Sequence, residues 1–76
     1  MPVGAAAVEM LRALPLGTRV VVRRREDDGY HDALGDLVAI DETTCTVQTR
    51  RGPVAVPLAK VTRAKPVPPP PSRLPR

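Results

Sequence analysis

Between residues 34 and 57, apolar and polar positions alternate in three short runs separated by turn residues. Gly35, Leu37 and Ala39 alternate with Asp36, Val38 and Ile40, and Thr44, Thr46 and Gln48 alternate with Cys45, Val47 and Thr49. A period of two sends successive side chains to opposite faces of a strand. Residues 41–43 separate these runs with short oxygen-bearing side chains of the kind that bond nearby backbone amides in turns. Arg51-Gly52 then supplies a residue free to take the positive φ of a bulged hairpin. The third run, residues 53–57, puts Val54 and Val56 on one face, and the Pro at each end suits a strand whose terminal amides the ladder does not need. The pattern predicts an antiparallel meander of three strands.

The flanks extend this meander. Residues 18–25 (TRVVVRRR) are dense in β-branched side chains and predict a first strand, with Val20 and Val22 on one face and Arg19, Val21 and Arg23 on the other. Residues 26–32 (EDDGYHD) predict a long acidic loop with Asp28-Gly29 at its tip. Leu58-Ala59-Lys60 has the length of one 3₁₀ turn, and residues 61–65 predict a last short strand. Together these describe an all-β domain over residues 16–66, a small five-stranded SH3-like barrel. Closure would hide strand edges that otherwise invite aggregation. Ahead of it, residues 1–15 form an arm, frayed or helical, with Ala7, Leu11 and Leu14 at helical spacing and Pro15 ending it. Behind it, residues 67–76 are a Pro-rich linker whose run of prolines favours a polyproline II rod, a spacer towards a further domain.

Composition narrows the class. The 76 residues include no Trp or Phe, one Tyr and one Cys. The core is therefore thin and aliphatic, and neither a disulfide nor a cysteine-based metal site can be assembled within the chain. No apolar run nears the roughly 20 residues that span a bilayer. Glu9 and Arg12 interrupt the N-terminal apolar stretch and no basic lead precedes it, so no signal peptide is predicted and a cytoplasmic location is expected. The net charge of +4 is unevenly placed: residues 26–42 carry seven acids and no Lys or Arg, residues 60–76 five bases and no acid. A basic stripe attracts nucleic acid or other anions, and the neighbouring acidic run opposes that.

The chemistry-bearing residues point away from catalysis. His31 has no Ser or Cys beside it to activate and reads as an exposed loop residue. Cys45 shares the apolar phase of Val47 and reads as core. Glu26, Asp27, Asp28 and Asp32 lack the spacing of a hard-metal site and read as a solvated loop, with docking of a basic partner as the functional alternative. Tyr30 alone cannot build the aromatic cage that holds methyl-lysine or the aromatic groove that holds PxxP ligands. Arg23, Arg24, Arg25, Arg50, Arg51, Arg63 and Lys65 could track a phosphate backbone, but the aromatic platforms of single-strand binders are missing and Arg24 faces away from Arg23 and Arg25. No catalytic, cofactor-binding or metal-ligating residue is predicted. The expected interaction surface comprises Arg23, Arg25, Asp27, Asp28, Tyr30, Arg50 and Arg51.

The runs LPLGTRVVVRRR, DALGDLVAID, TVQTRRGPVAVP and KVTRAKPVPPPP resemble the N-terminal SH3-like barrel of actinobacterial GNAT-family N-acetyltransferases over residues 14–71. The resemblance is most distinctive in Leu34-Gly35-Asp36-Leu37-Val38, in Thr49-Arg50-Arg51-Gly52 and in the exit Ala64-Lys65-Pro66-Val67-Pro68. In that family the barrel precedes a GNAT domain that moves an acetyl group from acetyl-CoA to an amine, and some members are labelled histone acetyltransferases. The family's pyrophosphate-binding loop lies downstream of the barrel, and Arg51-Gly52-Pro53-Val54-Ala55 does not match it. The resemblance implies a non-catalytic accessory barrel whose partner is the downstream GNAT domain or another protein, and acetyl-CoA as a cofactor of the parent enzyme alone. A stand-alone basic barrel that binds nucleic acid is the alternative, and no membrane partner is expected.

Overall fold

Five antiparallel strands and one helix follow the chain in the order α1 (Gly4–Ala13), β1 (Arg19–Glu26), β2 (Gly29–Ile40), β3 (Thr44–Thr49), β4 (Gly52–Pro57), a 3₁₀ turn (Leu58–Lys60) and β5 (Val61–Pro66). The structure is a computed structural model and describes residues 3–68. In space the strands run β4-β3-β2-β1-β5. The two end strands do not pair with each other, so the sheet stays open and the expected closed barrel does not form. Its edges are protected by other means. β4 carries Pro53 and Pro57, whose missing N–H groups deny a partner full pairing. β5 is bridged by Val3 at Arg63. Most of the predicted linker, residues 69–76, lies outside the described residues.

The core sits on the face where the predicted alternation puts it. Val20 and Val22 of β1, Leu37 of β2, Cys45 and Val47 of β3 and Val56 of β4 are fully buried. Cross-strand neighbours match: Cys45 opposes Val56, and Val47 lies between Leu37 and Val54. Ala7 and Leu11 of α1 complete this cluster from outside the sheet. A helix of ten residues is marginal alone, so docking of these two side chains is what holds it. Its end is set by Pro15: Leu14 is extended at ψ 143°, as a residue before proline prefers. Arg12 in the last turn of α1 donates to the carbonyl oxygens of Asp41 (3.0 Å) and Glu42 (3.2 Å), tying the helix to the β2–β3 turn. Asp41 holds that turn, its carboxylate accepting from the Thr43 and Thr44 amides at 2.9 and 2.8 Å.

Two irregularities shift the faces. The β2–β3 register slips between Leu37 and Ala39, so Ile40 opposes the buried Cys45 while Val38 and Ala39 turn to solvent. The expected grouping of Ala39 with Leu37 is corrected by this bulge. A second slip, between β1 and β5, leaves Thr62 without an opposite residue, and its hydroxyl bonds the Arg23 carbonyl at 3.1 Å. That extra residue lets Val61 and Ala64, three apart, both face the core.

The largest departure concerns residues 26–32. They are not a loop: β1 and β2 stay paired up to Glu26 opposite Gly29, leaving Asp27 and Asp28 as a tight turn. β2 is therefore a long strand shared by two partners. Residues 29–36 pair with β1, whereas pairing with β3 begins only at Asp36. The strand bends where the partners change, and Gly35 marks the place. A Cβ there would overlap the Gln48 carbonyl oxygen and come within 3.1 Å of Thr49 Cα. Backbone approach this close requires glycine.

Candidate interaction site

The bend at Gly35 separates two hairpins, and the candidate site is the space between them. Both tips use one backbone solution: a two-residue turn followed by a glycine at positive φ, Gly29 at 123° after Asp27-Asp28 and Gly52 at 117° after Arg50-Arg51. No other residue type among those described has positive φ, in keeping with a turn whose strain falls on the closing glycine. Thr49 reinforces the basic tip, its hydroxyl donating to the Gly52 carbonyl at 2.7 Å and accepting from the Arg51 amide at 3.2 Å.

Two clefts share Leu34, Thr49 and Arg50 and so flank the same junction between the hairpins, hereafter the gap. One, of about 480 Å³, runs from Arg19 and Asp36 to Gln48 and Arg50. The other, of about 340 Å³, lies between Asp32, Ala33 and Leu34 on β2 and Arg50, Arg51 and Val54 on the β3–β4 hairpin, with Arg24 at its side. Leu34 is 45% exposed and offers an apolar surface within the gap. Arg24 is held by Glu26 at 2.8 Å and Asp32 by Arg23 at 2.9 Å. Arg19, Arg50 and Arg51 form no salt bridge among the described residues, and the remaining carboxylate in the gap is Asp36. The free charge facing the gap is therefore positive.

The predicted surface residues divide between two places. Arg23, Arg25 and Tyr30 meet on the outer face of the β1–β2 arm, where Arg25 opposes Tyr30 and the Arg23 guanidinium lies 5.9 Å from the Tyr30 ring centre. Hydrogen bonding to the Asp32 carboxylate, with its charge, raises the Arg23 pKa above its ordinary value. Asp27 and Asp28 occupy the acidic tip, and Arg50 and Arg51 the basic one. The seven residues thus do not form one patch. Sequence reasoning missed Arg19, Leu34, Asp36, Gln48 and Thr49 of the gap, whose common location depends on the bend of β2. A glycine inside an otherwise alternating strand was the available signal.

The acidic side is largely matched within the fold, with Asp27 forming no salt bridge among the described residues. Asp28 bonds His31 at 2.7 Å, and that contact lowers the carboxyl pKa. Glu26 is lowered chiefly by its hydrogen bond from Arg24, against some desolvation, with Lys60 adding a further contact at 3.4 Å. His31 is exposed as expected, but it stands on β2 and not in a loop. Cys45 is buried, and desolvation pushes its thiol pKa up, which disfavours the thiolate. Among the described residues no helix is long and apolar enough to cross a membrane. Comparison of the chain with protein-family models, curated proteins and solved structures gives no match.

Proposed function

We propose that this chain is a non-catalytic interaction module of SH3-like design, working as the accessory domain of a GNAT-family N-acetyltransferase and positioning its catalytic domain or its substrate. The strand order β4-β3-β2-β1-β5, with a 3₁₀ turn ahead of the last strand, supports the architectural part of this reading. The resemblance of residues 14–71 to the barrels that precede GNAT domains supports the context. The observation that carries the binding role is the gap between the hairpins, where Arg19, Arg50 and Arg51 face solvent without carboxylate partners among the described residues. Arginines held on a rigid turn bind carboxylates or phosphates with little ordering cost.

The reading is tested in two steps. Calorimetric titration of the isolated chain with acetyl-CoA is expected to give no saturable heat, and saturable binding would overturn the accessory role. Removing residues 1–66 from a parent acetyltransferase is expected to change KM for the acceptor amine while leaving KM for acetyl-CoA unchanged. Unchanged kinetics for both substrates would likewise contradict it.

A second reading, nucleic-acid binding, is favoured by one feature. Arg50 and Arg51, adjacent on the β3–β4 turn, form no salt bridge among the described residues, and free guanidinium groups also suit a phosphate backbone. Binding of a labelled oligonucleotide that is tight at low salt and falls steeply with added salt would support this reading.

A further inference from the structure

The bend that opens the gap also leaves part of β2 with one neighbour instead of two. β3 pairs with β2 from Asp36 onward, so residues 30–34 have β1 on one side and no paired strand on the other, and residues 32–34 line the gap. The Leu37 amide donates towards β1, to the Thr18 carbonyl at 2.9 Å. Backbone direction alternates along an antiparallel strand, so Gly35, Ala33 and His31 also bond towards β1. Tyr30, Asp32 and Leu34 then direct their N–H and C=O groups away from β1, those of Asp32 and Leu34 at the gap and those of Tyr30 beyond it. A row of unpaired groups of this kind is a template for another strand. Residues 30–34 span roughly 16 Å, room for about five residues of an extended chain.

We propose that this edge accepts an extended acidic peptide, which adds to β2 as a strand and lays its carboxylates on Arg50 and Arg51. Charge complementarity selects the occupant. Arg19, Arg50 and Arg51 stand free around the gap, whose carboxylates are Asp36 and an Asp32 already paired with Arg23, and guanidinium groups pair well with carboxylates. Leu34 and Val54 offer apolar contact for the alternate side chains of such a strand. This chain's own residues 69–76 suit the edge poorly, because four of them are prolines without an N–H and the only charged side chains are Arg73 and Arg76. Peptide is favoured over nucleic acid because the free groups along β2 are backbone amides and carbonyls, and the gap is lined by no aromatic residue on which a base could stack.

The inference rests on the interaction-module reading and deepens it. The test titrates the ¹⁵N-labelled chain with a hexapeptide of alternating Glu and Val, with its Lys-for-Glu counterpart, and with a single-stranded oligonucleotide. The acidic peptide is expected to shift the amides of Tyr30, Asp32 and Leu34 and to slow their hydrogen exchange at least tenfold. The Lys peptide should bind at least tenfold more weakly. Replacing both tip arginines (R50E with R51E) should weaken the acidic peptide at least tenfold while leaving the spectrum dispersed. The exchange readout on the native chain does not depend on that variant folding. Three results overturn the proposal: an acidic peptide that leaves these amides unmoved, an oligonucleotide that protects them where the peptide does not, or protection that appears with protein concentration alone because a second copy occupies the edge. If the acidic peptide is silent while acceptor KM in the parent enzyme still depends on the barrel, the inference falls and the accessory role stands.

Discussion

The β1–β2 and β3–β4 hairpins solve one backbone problem with opposite charges. Each closes a two-residue turn with a glycine at nearly the same φ, 123° at Gly29 and 117° at Gly52. Their surroundings differ. The acidic hairpin finds most of its partners inside the fold, Glu26 on Arg24 and Lys60 and Asp28 in a hydrogen bond with His31, and only Asp27 at its tip forms no salt bridge among the described residues. The basic hairpin is held by a hydroxyl, that of Thr49, which satisfies the turn without neutralising Arg50 or Arg51. Charge that is paired within the fold contributes to the structure's own electrostatics. Charge displayed on a turn braced by neutral hydrogen bonds remains available to a partner. The total of +4 conceals this difference, because it arises from where the partners lie and not from how many there are.

The comparison depends on the hairpins being held apart, and the strongest perturbations act on what holds them. Leu37→Ala removes a fully buried side chain beside the bend and should cost about 2–5 kcal/mol, a large share of the stability of a domain this small, read by denaturant unfolding. Gly35→Ala forces a methyl group against the Gln48 carbonyl and should cost about 1–3 kcal/mol. Its further signature is a change in the spectra of Gln48 and Thr49, the residues that must give way. Gly29→Ala and Gly52→Ala each place a side chain at positive φ, and each should cost about 1–2 kcal/mol. Equal costs at the two tips would sharpen the claim of a shared backbone solution, and a cost at one alone would break it.

Charge changes follow, with smaller effects on stability. Arg50→Glu with Arg51→Glu should alter unfolding by no more than about 0.5 kcal/mol, as exposed substitutions usually do. The smallest effect is the pH response. The Glu26, Asp28 and Asp41 pKa values are lowered in the fold, so the unfolded chain takes up protons first as pH falls. The stability these groups contribute is complete above the ordinary carboxylate range and is lost as pH falls through their folded values, below roughly pH 4. Exchange at pH 3 should therefore loosen the acidic tip and the β2–β3 turn before the basic tip, and Asp28→Asn should flatten the response at the acidic tip.

Much of the sheet was legible because hydrophobic alternation reports one dry face. It located β3 and β4, the burial of Val20 and Val22, and the core position of Cys45. Gly52 announced its turn, and Pro15 the end of α1. The outer part of β2 was illegible for the same physical reason. Around Tyr30, His31 and Asp32 side chains are exposed in succession, so no period of two survives, and a strand with that composition reads as a loop. The slips at Val38 and Thr62 are properties of pairing between distant segments and leave no local mark. Closure was expected because free edges are hazardous, yet prolines on β4 and the Val3 bridge on β5 blunt both edges of the open sheet. The gap itself follows from where β3 leaves β2, and only Gly35 hinted at it.

The gap must be open in the free chain for any partner to reach the β2 edge, and amide hydrogen exchange along β2 measures this directly. At native pH and low protein concentration, exchange is expected to alternate, slow at His31, Ala33 and Gly35 and fast at Tyr30, Asp32 and Leu34. Slow exchange at every residue from 30 to 35 would mean that the basic hairpin closes onto β2, and would contradict the account.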